Sequence, residues 1–98
     1  MTYAKLESAF PDYDLATLPT IPETWVDATY GNDTCPSFDA PNGLTVYVDY
    51  LDPKERDFAP LSIFRFTVLQ HLESGETVAP LESNDWLEVL TFVERFDA

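Results

Sequence analysis

The stretch PNGLTVYVDY, residues 41–50, decides the fold because it joins a turn to a strand with regular alternation. The triplet Pro-Asn-Gly at 41–43 is typical of a tight turn, since Asn and Gly accept the positive φ angles that hairpins require. The apolar side chains then recur at every second position, at Leu44, Val46, Val48 and Tyr50. This spacing predicts an antiparallel hairpin whose second strand buries one face.

Further strands are predicted on both sides of this hairpin. They cover residues 25–30, 37–39, 62–72 and 77–79, and turn residues such as Ser74-Gly75 separate them. Alternation places three side chains of the first segment on the outward face of the sheet, namely Trp25, Asp27 and Thr29. In the long segment it directs three side chains inward, namely Phe64, Phe66 and Val68.

Two helices complete the predicted structure. A short N-terminal helix runs from Thr2 to Phe10 and ends at Pro11, because proline cannot continue a helix. A C-terminal helix over residues 84–96 begins after Ser83. It carries one apolar stripe, formed by Trp86, Val89, Leu90, Val93 and Phe96. The predicted fold class is α+β, an antiparallel sheet of four to five strands with both helices packed on one face.

Length and composition predict a single domain spanning residues 1–98. With 45% hydrophobic and 14% aromatic residues, the chain has enough apolar surface to form a core without disulfides. The single cysteine, Cys35, favours a reducing compartment. The sequence has neither the pattern of a signal peptide nor an apolar run of about 20 residues. We therefore expect a cytoplasmic protein.

The strongest signal in the sequence is its formal net charge of −13, which results from 18 acidic and 5 basic residues. This charge disfavours direct binding to DNA, RNA or an anionic membrane, because those ligands bind patches of Lys and Arg. A compact chain of this length has a radius of gyration of about 13 Å and spans roughly 30–35 Å. A DNA duplex of that length carries about 18–20 phosphate charges. The expected partner is therefore a protein with a basic surface, of the kind that handles nucleic acid.

The polar segment TYGNDTCPSF, residues 29–38, is the best candidate for a catalytic loop, and we interpret it as a turn. A nucleophilic Cys35 requires a base, and His71, the one histidine, comes without a third orienting motif. The carboxylates of residues 49–57 do not have calcium-loop spacing, and no His/Cys cluster indicates zinc. With 3 glycines in the chain, there is no glycine-rich phosphate loop. We expect no catalytic residue, no cofactor and no metal.

Most carboxylates have local roles, such as capping helices or occupying hairpin tips. Four remain, namely Asp27, Asp33, Asp39 and Asp49. Aspartate is depleted in strands, yet Asp27 and Asp49 are predicted on the outward sheet face together with Trp25 and Tyr47. A face that combines carboxylates with aromatic side chains is typical of a protein interface. These six residues form the predicted partner-binding site.

An alternative reading of this face needs no partner. Arg65 is predicted on the same face, where it would pair with Asp49 or Asp27, and the first helix would cover Trp25.

In size and charge, the whole chain resembles the small acidic inhibitors encoded by phages and mobile elements, anti-CRISPR proteins among them. The resemblance implies an inhibitor that occupies a basic nucleic-acid-binding surface of its target, as a nucleic-acid mimic or steric blocker. The alternative function is an adaptor, immunity or assembly protein whose partner does not bind nucleic acid. A third interpretation requires no partner, because halophilic proteins are also rich in Asp and Glu and poor in Lys.

Overall fold

A computed structural model of the protein describes residues 3–56 and 63–96. Its five strands form one antiparallel sheet in sequence order, β1 (Val26–Asp27), β2 (Ser37–Ala40), β3 (Leu44–Val48), β4 (Phe66–His71) and β5 (Thr77–Ser83). The helices are α1 (Ala4–Ala9) and α2 (Trp86–Arg95). The predicted α+β class and the two-helix, one-sheet arrangement are confirmed.

The predicted hairpin at residues 41–50 joins β2 to β3. Ala40 pairs with Leu44 across a tight turn in which Asn42 has φ 65° and Gly43 has φ 75°. These are the left-handed backbone angles that the Asn-Gly dipeptide predicts, because other residues pay a steric penalty there. The turn therefore fixes the register of the two central strands.

Gly43→Ala tests this turn. We expect it to lower the free energy of unfolding by about 1–2 kcal/mol, because the added Cβ disfavours the left-handed conformation. The nearest atom to that Cβ is the His71 backbone oxygen at 3.9 Å, so the penalty is conformational rather than steric crowding. Gly31→Ala is the matched control, since its Cβ would meet only the Ala9 Cβ at 4.0 Å. Equal losses for the two variants in urea unfolding would contradict this explanation.

The core lies between the sheet and the two helices, on what we call the covered face. In the sheet, Val46 pairs with Phe38 on one side and with Val68 on the other, and all three are buried. The helices contribute buried side chains from above, namely Leu6 of α1 and Val89 and Val93 of α2. Each fully buried aliphatic side chain stabilises the fold by roughly 1.5–3 kcal/mol.

The predicted outward placement of Trp25 and Asp27 is wrong. Trp25 is 5% exposed, and its ring lies 5.8 Å from that of Trp86 in α2, so this helix covers it. Asp27 pairs with buried Phe38 and therefore points to the covered face. Apolar residues occur at both alternating positions of this segment, so the pattern does not decide the face, and a one-residue shift exchanges the two.

Asp27 instead stabilises the start of α1. Its Oδ2 accepts a hydrogen bond from the Leu6 backbone N–H at 3.0 Å, and its Oδ1 accepts one from the Thr29 N–H at 3.1 Å. The first N–H groups of a helix have no partner within the helix, and Tyr3, which precedes α1, provides no side-chain cap. A strand residue thus caps a helix that is distant in sequence.

β5 forms one edge of the sheet and is longer than the predicted strand at 77–79. Its residues are mostly exposed, and it contains Pro80 and Glu82. Pairing with β4 is irregular between Val68 and Gln70, where the register shifts. Proline, charge and irregular pairing are features that protect an exposed edge against the addition of another strand.

The Arg65 side chain reaches the segment that precedes β1, where it contacts Tyr13 and Thr17. Its Nε donates to the Asp49 backbone oxygen at 2.9 Å, and its Nη2 donates to the Tyr13 hydroxyl at 3.0 Å and to the Thr17 backbone oxygen at 2.9 Å. Its guanidinium carbon also lies 5.3 Å from the centre of the Phe66 ring. The guanidinium therefore fastens the sheet to the segment that contains Tyr13.

Arg56 has a similar internal role. It is 6% exposed, and it donates from Nε to the Tyr50 backbone oxygen at 2.9 Å and from Nη2 to the Leu51 backbone oxygen at 3.3 Å. The other basic residues, Lys5, Lys54 and Arg95, are exposed. Two of the 5 cations thus serve the fold, and the surface is more acidic than the composition alone indicates.

Candidate partner-binding face

The sheet surface opposite the helices is the candidate functional site, and we call it the open face. The strand register places two rows of side chains on it. One row crosses the sheet through Val26, Asp39, Thr45 and Leu69, and the other through Ser37, Tyr47, Thr67 and Glu82. In the described residues, no side chain of α1 or α2 lines the pocket that opens at the Asp49 end of this face.

Asp39, Thr45 and His71 form a hydrogen-bonded chain on the open face. The Thr45 hydroxyl donates to Asp39 Oδ1 at 3.2 Å and lies 2.8 Å from His71 Nε2. A carboxylate can only accept, so it takes the single hydroxyl proton, and Nε2 must then donate its own proton to Thr45. An activated nucleophile would require the opposite direction, with the hydroxyl donating to the histidine. The chain therefore orients the Asp39 carboxylate rather than activating Thr45.

Tyr47 and Asp33 meet beside this chain. The Tyr47 hydroxyl donates to Asp33 Oδ2 at 3.5 Å, and both residues are half-buried. Burial raises the pKa of the Tyr47 hydroxyl, and the negative charge of Asp33 raises it further. Tyr47 thus remains a neutral hydrogen-bond donor, and it holds the loop that contains Asp33 against the sheet.

Asp49 follows β3 at the end of the open face and is half-buried. Its Oδ1 accepts a hydrogen bond from the Tyr50 N–H at 2.8 Å, and its backbone N–H donates to the Arg65 oxygen at 2.8 Å. The expected partner of Arg65 was the Asp49 or Asp27 carboxylate. Its hydrogen bond to Asp49 instead reaches the backbone oxygen of that residue.

The structure brings four of the six predicted site residues to the open face or its end, namely Asp33, Asp39, Tyr47 and Asp49. Trp25 and Asp27 belong to the covered face and have structural roles there. The position of His71 next to the Thr45–Asp39 pair was not predicted from the sequence. The alternation of the strand places Thr45 on the outward face, and a side chain of the neighbouring strand β4 must lie beside it there. This was the signal in the sequence from which a contact with His71 could have been predicted.

A pocket of about 210 Å³ opens at the Asp49 end of this face. Its walls come from three separate parts of the chain, the loop before β2, β3 and the start of β4. They are Thr34, Cys35, Tyr47, Asp49, Phe64, Arg65, Thr67 and Leu69. Phe64, predicted inward, lines this pocket and is 36% exposed, because it precedes β4 and does not follow the alternation of the strand. The pocket was not predicted from the sequence.

Cys35 is a buried, unreactive wall of this pocket. Burial raises the pKa of its thiol to about 12, and the nearby negative charges of Asp49 and Asp33 contribute to the rise. A catalytic cysteine requires the opposite, a thiolate at neutral pH. Residues 31–35 form turns and bends between β1 and β2, which agrees with the interpretation of residues 29–38 as a turn.

The raised pKa of Cys35 predicts a loss of stability in alkali. The unfolded thiol, with a pKa near 9.0, loses its proton before the folded one. The stabilisation is complete below that pH and declines as pH rises toward the folded pKa. We expect the urea midpoint to begin to fall at about pH 9 and to fall measurably by about pH 10, the ordinary tyrosine pKa. The midpoint of Cys35→Ala should fall less over the same range, and equal slopes would refute this assignment.

Two further classes of site find no support in the described parts of the chain. In residues 3–56 and 63–96, no group of three or more His, Cys, Asp or Glu side chains is placed to hold a metal ion. Across those same ranges, no helix has the length and apolar character needed to cross a membrane. Comparisons with protein-family models, curated proteins and solved structures gave no match.

Proposed function

We propose that the protein is a cytoplasmic, non-enzymatic inhibitor that occupies a basic nucleic-acid-binding surface of its target, as a nucleic-acid mimic or steric blocker. The distribution of charge carries this proposal. Every acidic residue in the described ranges is exposed except Asp27, Asp33 and Asp49, which are half-buried. Arg56 and Arg65, by contrast, direct their charge into the fold. The surface is therefore strongly negative, as a ligand for a Lys/Arg cleft must be.

The size of the protein supports the same proposal. Its extents are 34 × 31 × 26 Å and its radius of gyration is 12.9 Å. A duplex of similar length carries about 20 phosphates, at one charge per ~1.7 Å. The formal charge of −13 is of the same order, so the protein can compete electrostatically for a cleft that accommodates one segment of duplex.

The open face is the proposed contact surface. It combines the carboxylates of Asp33 and Asp39 with the apolar side chain of Val26, which is 60% exposed, and Tyr30 in the adjoining loop is 61% exposed. Aromatic and apolar groups provide contact area at the centre of an interface, while charges at its margin guide association. Long-range attraction thus brings the partner to the protein, and the open face holds it.

A competition experiment tests this function. Partners are captured from lysate on the immobilised protein, identified and purified, and then mixed with fluorescent DNA or RNA of the kind they bind. We expect the protein to bind no nucleic acid itself and to displace the probe. Displacement should weaken as salt rises, because exposed charges are screened over about 8–10 Å near physiological ionic strength. A ternary complex of protein, partner and nucleic acid would reject simple mimicry.

A second candidate function is an adaptor, immunity or assembly protein whose partner does not bind nucleic acid. The exposed Val26 and Tyr30 favour it, because apolar contact area on a sheet face suits any protein partner. The same capture experiment separates the two functions. A purified partner that binds the open face but has no affinity for nucleic acid would establish this second function.

A further inference from the structure

We propose that His71 makes the open face sensitive to pH, so that the protein binds its basic partner at neutral pH and releases it in mild acid. This inference rests on the proposed function for the basic character of the partner, and it adds a means of regulation to the same surface. Three observations support it: the composition of the strands, the position of the His71 ring and the direction of its hydrogen bond to Thr45.

His71 is the one side chain of the strands that can become a cation. None of the strands β1–β5, all of which lie in the described ranges, contains a lysine or an arginine. The other titratable side chains that the strands place on the open face are Asp39, Tyr47 and Glu82. Between pH 8 and pH 5.5 carboxylates stay ionised and tyrosine stays neutral, whereas histidine is the residue type that gains a charge in this range. The charge of these strands therefore changes at His71 alone.

His71 lies beside the carboxylate that we place at the centre of the contact surface. Alternation along β4 places its side chain on the open face, where the ring is exposed. Its Nε2 lies 2.8 Å from the Thr45 hydroxyl, which in turn lies 3.2 Å from Oδ1 of the exposed Asp39. A positive charge on the ring is thus separated from the Asp39 carboxylate by a single hydroxyl group.

In the described parts of the chain, the elements next to His71 carry no second group that gains a charge in this pH range. On one side β3 contributes Thr45, and on the other side β5 places Thr77 opposite His71. The hairpin that follows β4 carries Glu73 and Glu76, whose carboxylates stay ionised above pH 5.5. Protonation of the ring therefore adds one positive charge among carboxylates that keep theirs.

The hydrogen bonds of the ring allow protonation without a change in structure. The single proton of the Thr45 hydroxyl goes to Asp39, so Nε2 donates to Thr45 and the neutral ring has its lone pair on Nδ1. Within residues 3–56 and 63–96, Nδ1 has no hydrogen-bond partner, so it is the nitrogen that takes up a proton. The protonated ring still donates from Nε2 to Thr45. His71 therefore changes the charge of the open face and leaves the fold intact.

Protonation changes what the partner meets on this face. Neutral His71 offers a hydrogen-bond acceptor at Nδ1, whereas the protonated ring offers a donor that carries a positive charge. A positive charge in contact with the basic surface that we propose for the partner is unfavourable. The formal net charge changes only from −13 to −12, so long-range attraction remains. We expect the loss of affinity to appear mainly as faster dissociation.

Nitrogen-15 NMR of the isolated protein tests the geometry of the ring. At pH 8 we expect the proton of the neutral ring on Nε2, and at pH 5.5 we expect protons on both ring nitrogens. The amide signals should keep the dispersion of a folded sheet at both pH values. A neutral ring with its proton on Nδ1, or loss of that dispersion at pH 5.5, would overturn the inference.

Variants of His71 test the effect on binding. Affinity is measured at pH 8 and pH 5.5 for the captured and purified partner, and for octalysine as a basic probe of defined chemistry. The parent protein should bind the partner about tenfold more weakly at pH 5.5, because the added charge is unfavourable but partly screened. His71→Gln, whose amide donates to Thr45 but gains no charge, should keep its affinity at both pH values. His71→Lys should bind weakly at both, and octalysine should rank the variants in the same order.

Glu94→Gln is the matched control for diffuse charge. It also takes the formal charge from −13 to −12, but Glu94 is exposed on α2, away from the open face. It should bind as the parent protein does at pH 8 and should show the same loss at pH 5.5. An equal pH dependence in the parent protein and in His71→Gln would assign the effect to other groups and contradict the role of His71.

Failure of this pH dependence and failure of the proposed function are distinguishable. Displacement of nucleic acid with the same pH dependence in the parent protein and in His71→Gln would overturn the role of His71 alone. A partner that is released in acid from the parent protein, is retained by His71→Gln and binds no nucleic acid would support the role of His71 and overturn the proposed function.

Discussion

Trp25→Ala should lower the free energy of unfolding by about 3–5 kcal/mol, the cost of deleting a large aromatic side chain from a core. The ring is buried between the sheet and α2 and makes an edge-to-face contact with Trp86. Trp86 in turn packs on Phe66, with ring centres 5.0 Å apart, and its Nε1 donates to the Thr20 backbone oxygen at 3.2 Å. Loss of Trp25 therefore leaves a cavity at the junction of helix and sheet.

Urea unfolding followed by circular dichroism measures this effect. Leu87→Ala is the control, because Leu87 lies on α2 next to Trp86 but is 69% exposed. We expect that control to remain within about 0.5 kcal/mol of the parent protein, as most surface substitutions do. A loss below 1 kcal/mol for Trp25→Ala would mean that the tryptophan is accessible and would return it to the set of partner-binding residues.

The double variant Asp33→Lys, Asp39→Lys should lose several kcal/mol of binding to the captured partner. Each substitution changes the charge by two units, so the formal net charge goes from −13 to −9. Lysines on the open face would directly meet the basic surface that we propose for the partner, and like charges in contact are strongly unfavourable. The loss should appear largely as faster dissociation, because contact groups act mainly on the dissociation rate.

Glu73→Lys, Glu76→Lys is the matched control, with the same net charge but at the tip of the β4–β5 hairpin. It should lower the association rate modestly, through the long-range field alone. The free energy of unfolding is measured in parallel, because Asp39→Lys also removes the hydrogen bond that the Thr45 hydroxyl donates to Asp39. The loss of stability is then separated from the loss of binding. Equal affinity losses from the two double variants would place the contact away from the open face.

The central hairpin was predictable because two independent signals agree there. The turn residues at 41–43 and the alternation from Leu44 onward both require the same register. The last helix was predicted for the same reason, since its apolar stripe repeats with helical spacing. It begins at Trp86 rather than residue 84, because Asp85 is the residue that caps it, with Oδ1 accepting from the Leu87 N–H at 3.0 Å.

The faces of the first strand were not predictable from alternation. Trp25, Val26 and Tyr30 place large apolar or aromatic side chains on both faces of the strand. Tertiary packing against Trp86 therefore decides which face is buried. Asp27 was misplaced with them, since nothing local indicates that it caps a helix about 20 residues earlier. The pocket depends on sheet geometry that joins residues 34–35 to residues 64–69, and no short-range pattern encodes it.

Arg56 and Arg65 limit which basic residues of this sequence can be replaced during evolution, because both donate hydrogen bonds within the fold. Lys5, Lys54 and Arg95 are exposed, and replacing all three by Glu would take the formal charge from −13 to −19, two units each, without altering the hydrogen bonds of Arg56 and Arg65. Replacing Arg56 or Arg65 would instead leave backbone oxygens without donors, at about 1–3 kcal/mol for each buried group. Selection for tighter or weaker binding to the proposed basic partner can therefore act at the three exposed cations, while the stability of the fold requires Arg56 and Arg65.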